Sequence, residues 1–252
     1  MHRRDRLSAR RARPPAPVSD PVEALRRRRV CDLGLTIQGP PFGAMIRRLG
    51  RELAARKIRL RPNFYLSNEY GCVVRTANVG VLWTDALPQV PALHARHRDR
   101  TRDPEILMRV LRHETGHAFC YVHRVHERRE FRGLFRVKGD FFASYPDNGW
   151  APGPRDEARL RKGEHINVRC LKHADEDFAI TFQTWLNPEI DWRAQYAAFP
   201  AILEKLAFVD AMARRLGPKP HANDPRDLDA PIESLTMTVA EWFASAGRPR
   251  NS

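Results

Sequence analysis

His113-Glu114-Thr115-Gly116-His117 reads H-E-x-x-H, and that order of residue types has a chemical reading. Residues four apart on an α-helix differ by about 40° in direction, so both imidazoles leave on one side and can hold one Zn²⁺. Glu114, one step from the first histidine, can reach a water on that metal and take its proton, while zinc lowers the water's pKa. Imidazole and carboxylate donors suit zinc. The competing explanation is an ordinary helix with two satisfied histidines. Ile106, Val110, His113 and His117 fall on one line at helical steps. That places the pair on a core-facing stripe, where two polar rings need partners.

A catalytic zinc needs a third protein ligand and one open position. His123 has the metzincin spacing, but that plan breaks the helix at a glycine, and here the position is Cys120. In a continuous helix His123 points about 240° away from His117, so a surface histidine is the better reading. Glu176 fits the gluzincin plan, in which a carboxylate from a second helix completes the site. From spacing alone, a solvated first-turn acid favoured by the helix dipole explains Glu176 equally well. His165 and His173 flank that segment and read as surface or supporting residues rather than ligands. Tyr121 and Tyr145 are candidate transition-state donors, with packing the simpler role for each. Cys120 reads as packing.

These residues need elements to position them. Residues 42–56 carry apolar side chains at helical spacing with arginines on the other face. Residues 57–67 alternate and read as a strand, and residues 71–85 give one or two more. The strand around Asn78–Trp83 is expected to be an edge that binds an extended peptide by strand addition, on fold analogy. Asp103 as N-cap and Pro104 at the first position open a helix that carries H-E-x-x-H on to about residue 129. Residues 136–163 look like loop. A helix from Asp175 stops at Asn187-Pro188, and a long amphipathic one fills 198–216 before Gly217-Pro218. A polar linker follows, and residues 232–247 allow a last helix.

Composition bounds the alternatives. The chain has 252 residues, 42% of them hydrophobic, which suits one domain with a sizeable core. No apolar run reaches the length of a membrane span, and the start has no secretory apolar stretch. The four cysteines are scattered without C-x-x-C, as in a reducing cytoplasm. The net charge is +14. Residues 1–30 hold ten arginines against Asp5, Asp20 and Glu23, so half the excess lies in this first stretch. It reads as a disordered basic arm, and nucleic acid is a candidate partner through residues 1–30 only.

Three segments carry a family resemblance: CDLGLTIQGPPFGAMIRRLGRELAARKIRLRPNFYLSNE, LMRVLRHETGHAF and HADEDFAITFQTWLNPEIDWRAQYAAFPAILEKLAFVDAM. In this order and at these intervals they resemble the bacterial zinc-binding metallopeptidase family, over roughly residues 30–215. Its site plan is similar to that of gluzincins of the lethal-factor type. The resemblance implies His113, His117 and Glu176 as metal ligands and Glu114 as base. It also implies Asp177 as the carboxylate that steadies a ligand histidine. Two positions depart from the family pattern. Ile180 stands where relatives carry a second Glu, and Val168-Arg169 where they carry Trp-Tyr. A tyrosine seven residues before the ligand Glu helps hold the oxyanion in the lethal-factor type, and Arg169 has that offset. Its guanidinium can supply the same charge.

The expectation is a single zincin-like α+β metalloprotease domain over residues 30–217. A small twisted sheet precedes the active-site helix, and a mainly helical C-terminal half supplies Glu176. A disordered basic arm (1–29) precedes it, and a linker and tail with a short helix (218–252) follow. The expected activity is zinc-dependent hydrolysis of a peptide or protein, with one Zn²⁺ per chain and catalytic roles for Glu114 and Arg169. Two rivals belong to other classes. One is a DNA-associated SprT-type protease that uses the basic arm. The other is a catalytically silent zinc-binding or interaction protein, which Ile180 and Arg169 favour and the retained Glu114 opposes.

Overall fold

The computed structural model describes residues 20–87, 103–143, 146 and 150–246, and its fold is mixed α+β: helices around one small sheet. Helix α1 (Pro21–Arg26) starts at Asp20, whose carboxylate accepts from the Val22 amide, and it buries Leu25. Residues 20–29 are therefore built into the fold rather than free in an arm. The rest of the expected arm lies outside the described residues. Helix α2 (Phe42–Ala55) buries Phe42, Leu49 and Leu53 and ends where Lys57 takes a left-handed backbone.

Strand β1 (Asn63–Ser67) runs parallel to β3 (Asn78–Leu82), and β2 (Gly71–Cys72) runs antiparallel on the other side of β3. The order is β1-β3-β2. This corrects the expectation for Asn78–Trp83: that strand is central, and among the described residues β2 is an edge. The chain turns back within Val73–Thr76, where the Thr76 amide donates to the Val73 carbonyl, and so lays β2 outside β3. The strand expected over 57–67 begins only at Asn63. Ile58 and Leu60 keep their alternation and are buried, but the Arg59 amide bonds to the Gly217 carbonyl instead of to a strand.

Helix α3 (Pro104–Val122) starts where expected, with the Asp103 carboxylate accepting from the Glu105 amide at 2.7 Å and Pro104 in the first turn. It ends earlier than its pattern suggests because Arg124 adopts a left-handed backbone. A short turn and α4 (Arg129–Leu134) follow. Arg112 of α3 makes two 2.8 Å bonds to Glu52 of α2, and both side chains are buried. An ion pair so placed fixes the two helices in register, because neither charge can be left unpaired there.

Helix α5 (Pro154–Arg161) lies in the stretch read as loop. It buries no residue, so no apolar stripe announces it. Its start is nevertheless orthodox, with Pro154 in the first turn and the Asp156 carboxylate accepting from the Gly153 amide. Helices α6 (Ala174–Leu186), α7 (Trp192–Gln195) and α8 (Pro200–Leu216) complete the second half, with α6 packed between α3 and α8.

Residues 218–246 are not a linker and tail, contrary to expectation. The side chain of Asn78, fully buried, donates to the carbonyls of Asp224 and Asp227. Ser67 donates to the carbonyl of Asp229. The Val30 and Cys31 amides donate to Met237 and Leu235. Helix α9 (Val239–Ala246) then sets Trp242 edge-on to the buried Trp83, with ring centroids 5.2 Å apart. A polar Pro/Asp sequence looks like a linker because its contribution is made by backbone carbonyls, which every sequence has. Among the described residues no helix is long and apolar enough to cross a membrane.

Candidate metal centre

Two helices build the site, and one glycine sets their spacing. A Cβ on Gly116 of α3 would lie 3.0 Å from Ala179 Cα and 3.1 Å from Phe182 Cβ, both on α6. The small residue inside H-E-x-x-H therefore lets α6 approach closely. Helix α6 begins at His173, whose Nδ1 accepts from the Asp175 amide, and carries Asp175, Glu176 and Asp177 in its first turn. Three acids there suit the positive end of the helix dipole.

The approach brings His113, His117 and Glu176 together. His113 Nε2 lies 3.1 Å from His117 Nε2 and 3.4 Å from Glu176 Oε2. Metal–donor bonds of about 2.0–2.1 Å at tetrahedral angles put donor atoms about 3.3–3.4 Å apart. The donor types and these two separations match those of a zinc-sized cation, and all three donor atoms lie within 4.8 Å of one another. Glu114 is buried and lines the same cavity.

Asp175 backs His117. Its Oδ1 lies 3.0 Å from His117 Nδ1, and its Oδ2 accepts from the Tyr121 hydroxyl. A carboxylate at Nδ1 favours the proton there and leaves the Nε2 lone pair for a cation. Burial opposes charge on His117, but Asp175, with Glu114 and Glu176 behind it, outweighs burial and raises its pKa to about 9. The negative field of the site draws in a positive charge. Burial and the Asp175 charge push the Tyr121 phenol well up, so it stays a donor.

Asp177 does not play the role expected of it. Its Oδ2 pairs with Lys205 Nζ at 2.7 Å and lies 3.0 Å from His165 Nδ1, and no ligand histidine is its partner. Side chains one residue apart on a helix diverge by about 100°. Of three adjacent acids, Glu176 joins His113 and His117, Asp175 backs His117 and Asp177 turns to α8. The rotation of α6 decides this, and no residue in 174–177 encodes it alone. Tyr121, read as packing, is a hydrogen-bond donor within the site. The signal for both residues was their nearness to the motif, which does not rank neighbours.

His123 caps the end of α3 and packs on Phe119, with ring centroids 4.6 Å apart. It is outside the ligand group. Burial, with His221, Lys219 and Arg128 nearby, lowers its pKa to about 4. His165 is buried beside Asp177, and His173 caps α6. Cys120 is fully buried. Tyr145 lies outside the described residues.

A cavity of about 920 Å³ opens over His113, His117 and Glu176. The edge strand β2 forms one wall, and Ile106, Val110 and Ile180 form an apolar one, with Arg169 at the cavity lining. The stripe that carries the two histidines therefore faces this cavity and not the core, since Ile106 is 39% exposed. Helical period tells which residues share a face, not what the face meets. No protein-family model, curated protein or solved structure matches the chain.

Proposed function

We propose that the protein hydrolyses peptide bonds with one zinc ion held by His113, His117 and Glu176. The observation that carries this reading is the donor spacing of 3.1 and 3.4 Å beneath an open cavity. A zinc ion there supplies Lewis acidity to a water and to the scissile carbonyl. Glu114 takes the proton from the attacking water on its carboxylate and hands it to the leaving amine. Asp175 keeps the His117 ring turned, with the proton on Nδ1. Arg169 offers a guanidinium to the oxygen on which negative charge develops. The edge of β2 can pair with an extended peptide backbone, so the substrate-binding strand of this reading is β2.

A silent metal-binding protein would use the same ligands, and one set of variants separates the two readings. Metal analysis of the purified chain should show zinc in wild type and in Glu114→Ala, and loss of zinc in Glu176→Ala. Peptide cleavage by wild type but not by Glu114→Ala supports hydrolysis. Zinc without cleavage of a proteome-derived peptide library at any pH supports the silent reading. Full zinc in Glu176→Ala with loss in His123→Ala sinks the ligand assignment.

A further inference from the structure

A second metal-type donor group lies behind the first. A ring nitrogen of His165, Cys170 Sγ and a carboxylate oxygen of Asp177 lie within 4.8 Å of one another, and all three residues are buried. Imidazole, thiol and carboxylate are a donor set that zinc accepts. Yet a cation already sits among them. Lys205 of α8 is 6% exposed, and its ammonium lies 2.7 Å from Asp177 Oδ2 and 3.1 Å from His165 Nδ1. It also donates to the Glu164 carbonyl at 2.7 Å.

Two cationic groups flank the His165 ring. Arg159 Nη2 stands 2.7 Å from His165 Nε2. Guanidinium and ammonium only donate, and a neutral imidazole has one lone pair, so this ring can accept from only one of the two cations beside it. His165 Nδ1 lies 3.0 Å from Asp177 Oδ2, the oxygen that Lys205 also holds. Asp177 Oδ1 is buried and has no hydrogen-bond partner among the described residues. The carboxylate thus keeps acceptor capacity toward a cation. Removing the ammonium would leave a buried carboxylate without its counter-charge, which is costly unless another cation replaces it.

We propose that Lys205 is the built-in cation of this second site, and that it closes His165, Cys170 and Asp177 to divalent metal. The device restricts metal loading to the His113, His117 and Glu176 group, which is the other such group among the described residues. It also ties α8 to the first turn of α6, one residue from Glu176. A metal in place of Lys205 would bind Cys170 as thiolate, releasing its proton to water.

Cobalt(II) titration of the full chain tests this, because thiolate coordination gives a near-ultraviolet charge-transfer band that imidazole and carboxylate ligation do not. Wild type should show no such band. Lys205→Ala should take up one further equivalent of cobalt and show the band, and Lys205→Ala with Cys170→Ser should lose it. Should Lys205→Ala fail to fold by circular dichroism, Lys205→Met keeps most of the side-chain volume and is judged by the same band. A band in wild type that Cys170→Ser removes overturns the proposal, since metal would then enter with Lys205 in place. So does a folded Lys205 variant with no band. Absence of any cobalt uptake by wild type counts against the His113, His117 and Glu176 centre instead, and the band in the Lys205 variants still decides the role of Lys205.

Discussion

At the scale of single residues, the candidate site has two side chains in series behind His117. Tyr121 donates to Asp175, and Asp175 faces His117 Nδ1 at 3.0 Å. A carboxylate at this distance favours a proton on Nδ1 and leaves Nε2 to a cation. Asp175→Asn should therefore weaken zinc affinity by about 10–100-fold. Tyr121→Phe should have a smaller effect in the same direction, because the carboxylate remains. Competition against a chromophoric chelator reads both. Equal affinity in Asp175→Asn and wild type would show that the ring is held by packing alone. The raised pKa of His117, about 9 without metal, has a consequence for uptake. Zinc must displace that proton at neutral pH, so affinity should fall as pH falls.

At the scale of elements, Gly116 is where helix propensity and packing pull in opposite directions. Alanine is a better helix former by about 1 kcal/mol. Its methyl, however, would meet Ala179 Cα at 3.0 Å and Phe182 Cβ at 3.1 Å. Those atoms belong to the α6 backbone and to the root of a side chain, and they can yield only if the helix moves. Overpacking of this kind costs about 1–3 kcal/mol, so packing should win. Gly116→Ala is expected to lower the thermal midpoint and to weaken metal binding as Glu176 retreats from His113. A variant with a raised midpoint and unchanged metal affinity would mean that α6 adapts freely.

At the scale of the whole molecule, residues 218–246 are part of the domain. They satisfy buried Asn78, bond to Ser67 and cover Trp83 with Trp242 and Phe243. A chain ended at Gly217 would leave the Asn78 side-chain N–H groups without their carbonyl partners in the core and strip Trp242 and Phe243 from Trp83. It should show no cooperative unfolding transition by circular dichroism, whereas the full chain should. A truncated chain with a normal melt would show that residues 218–246 merely lie on the surface.

The residues of the motif itself were legible. Their types and their four-residue spacing fix a pair of imidazoles and a carboxylate on one helical face, whatever surrounds the helix. The caps at Asp103 and Pro104 and the stop at Asn187-Pro188 were equally legible, because they act within a few residues. From spacing alone Glu176 could be a ligand or a solvated acid. Family resemblance favoured the first, and the structure puts its Oε2 3.4 Å from His113 Nε2. Other features were fixed only by the tertiary structure. They include Asp175 rather than Asp177 behind His117, β2 rather than β3 at the edge, and a cavity rather than core above Ile106. Lys205, an ammonium set among metal-type donors, belongs with them. Sequence encodes periodicity and local caps directly, through bonds between near neighbours. The rotation of α6 against α3, the order of strands, and the partner of each buried charge are set by packing between segments far apart in the chain.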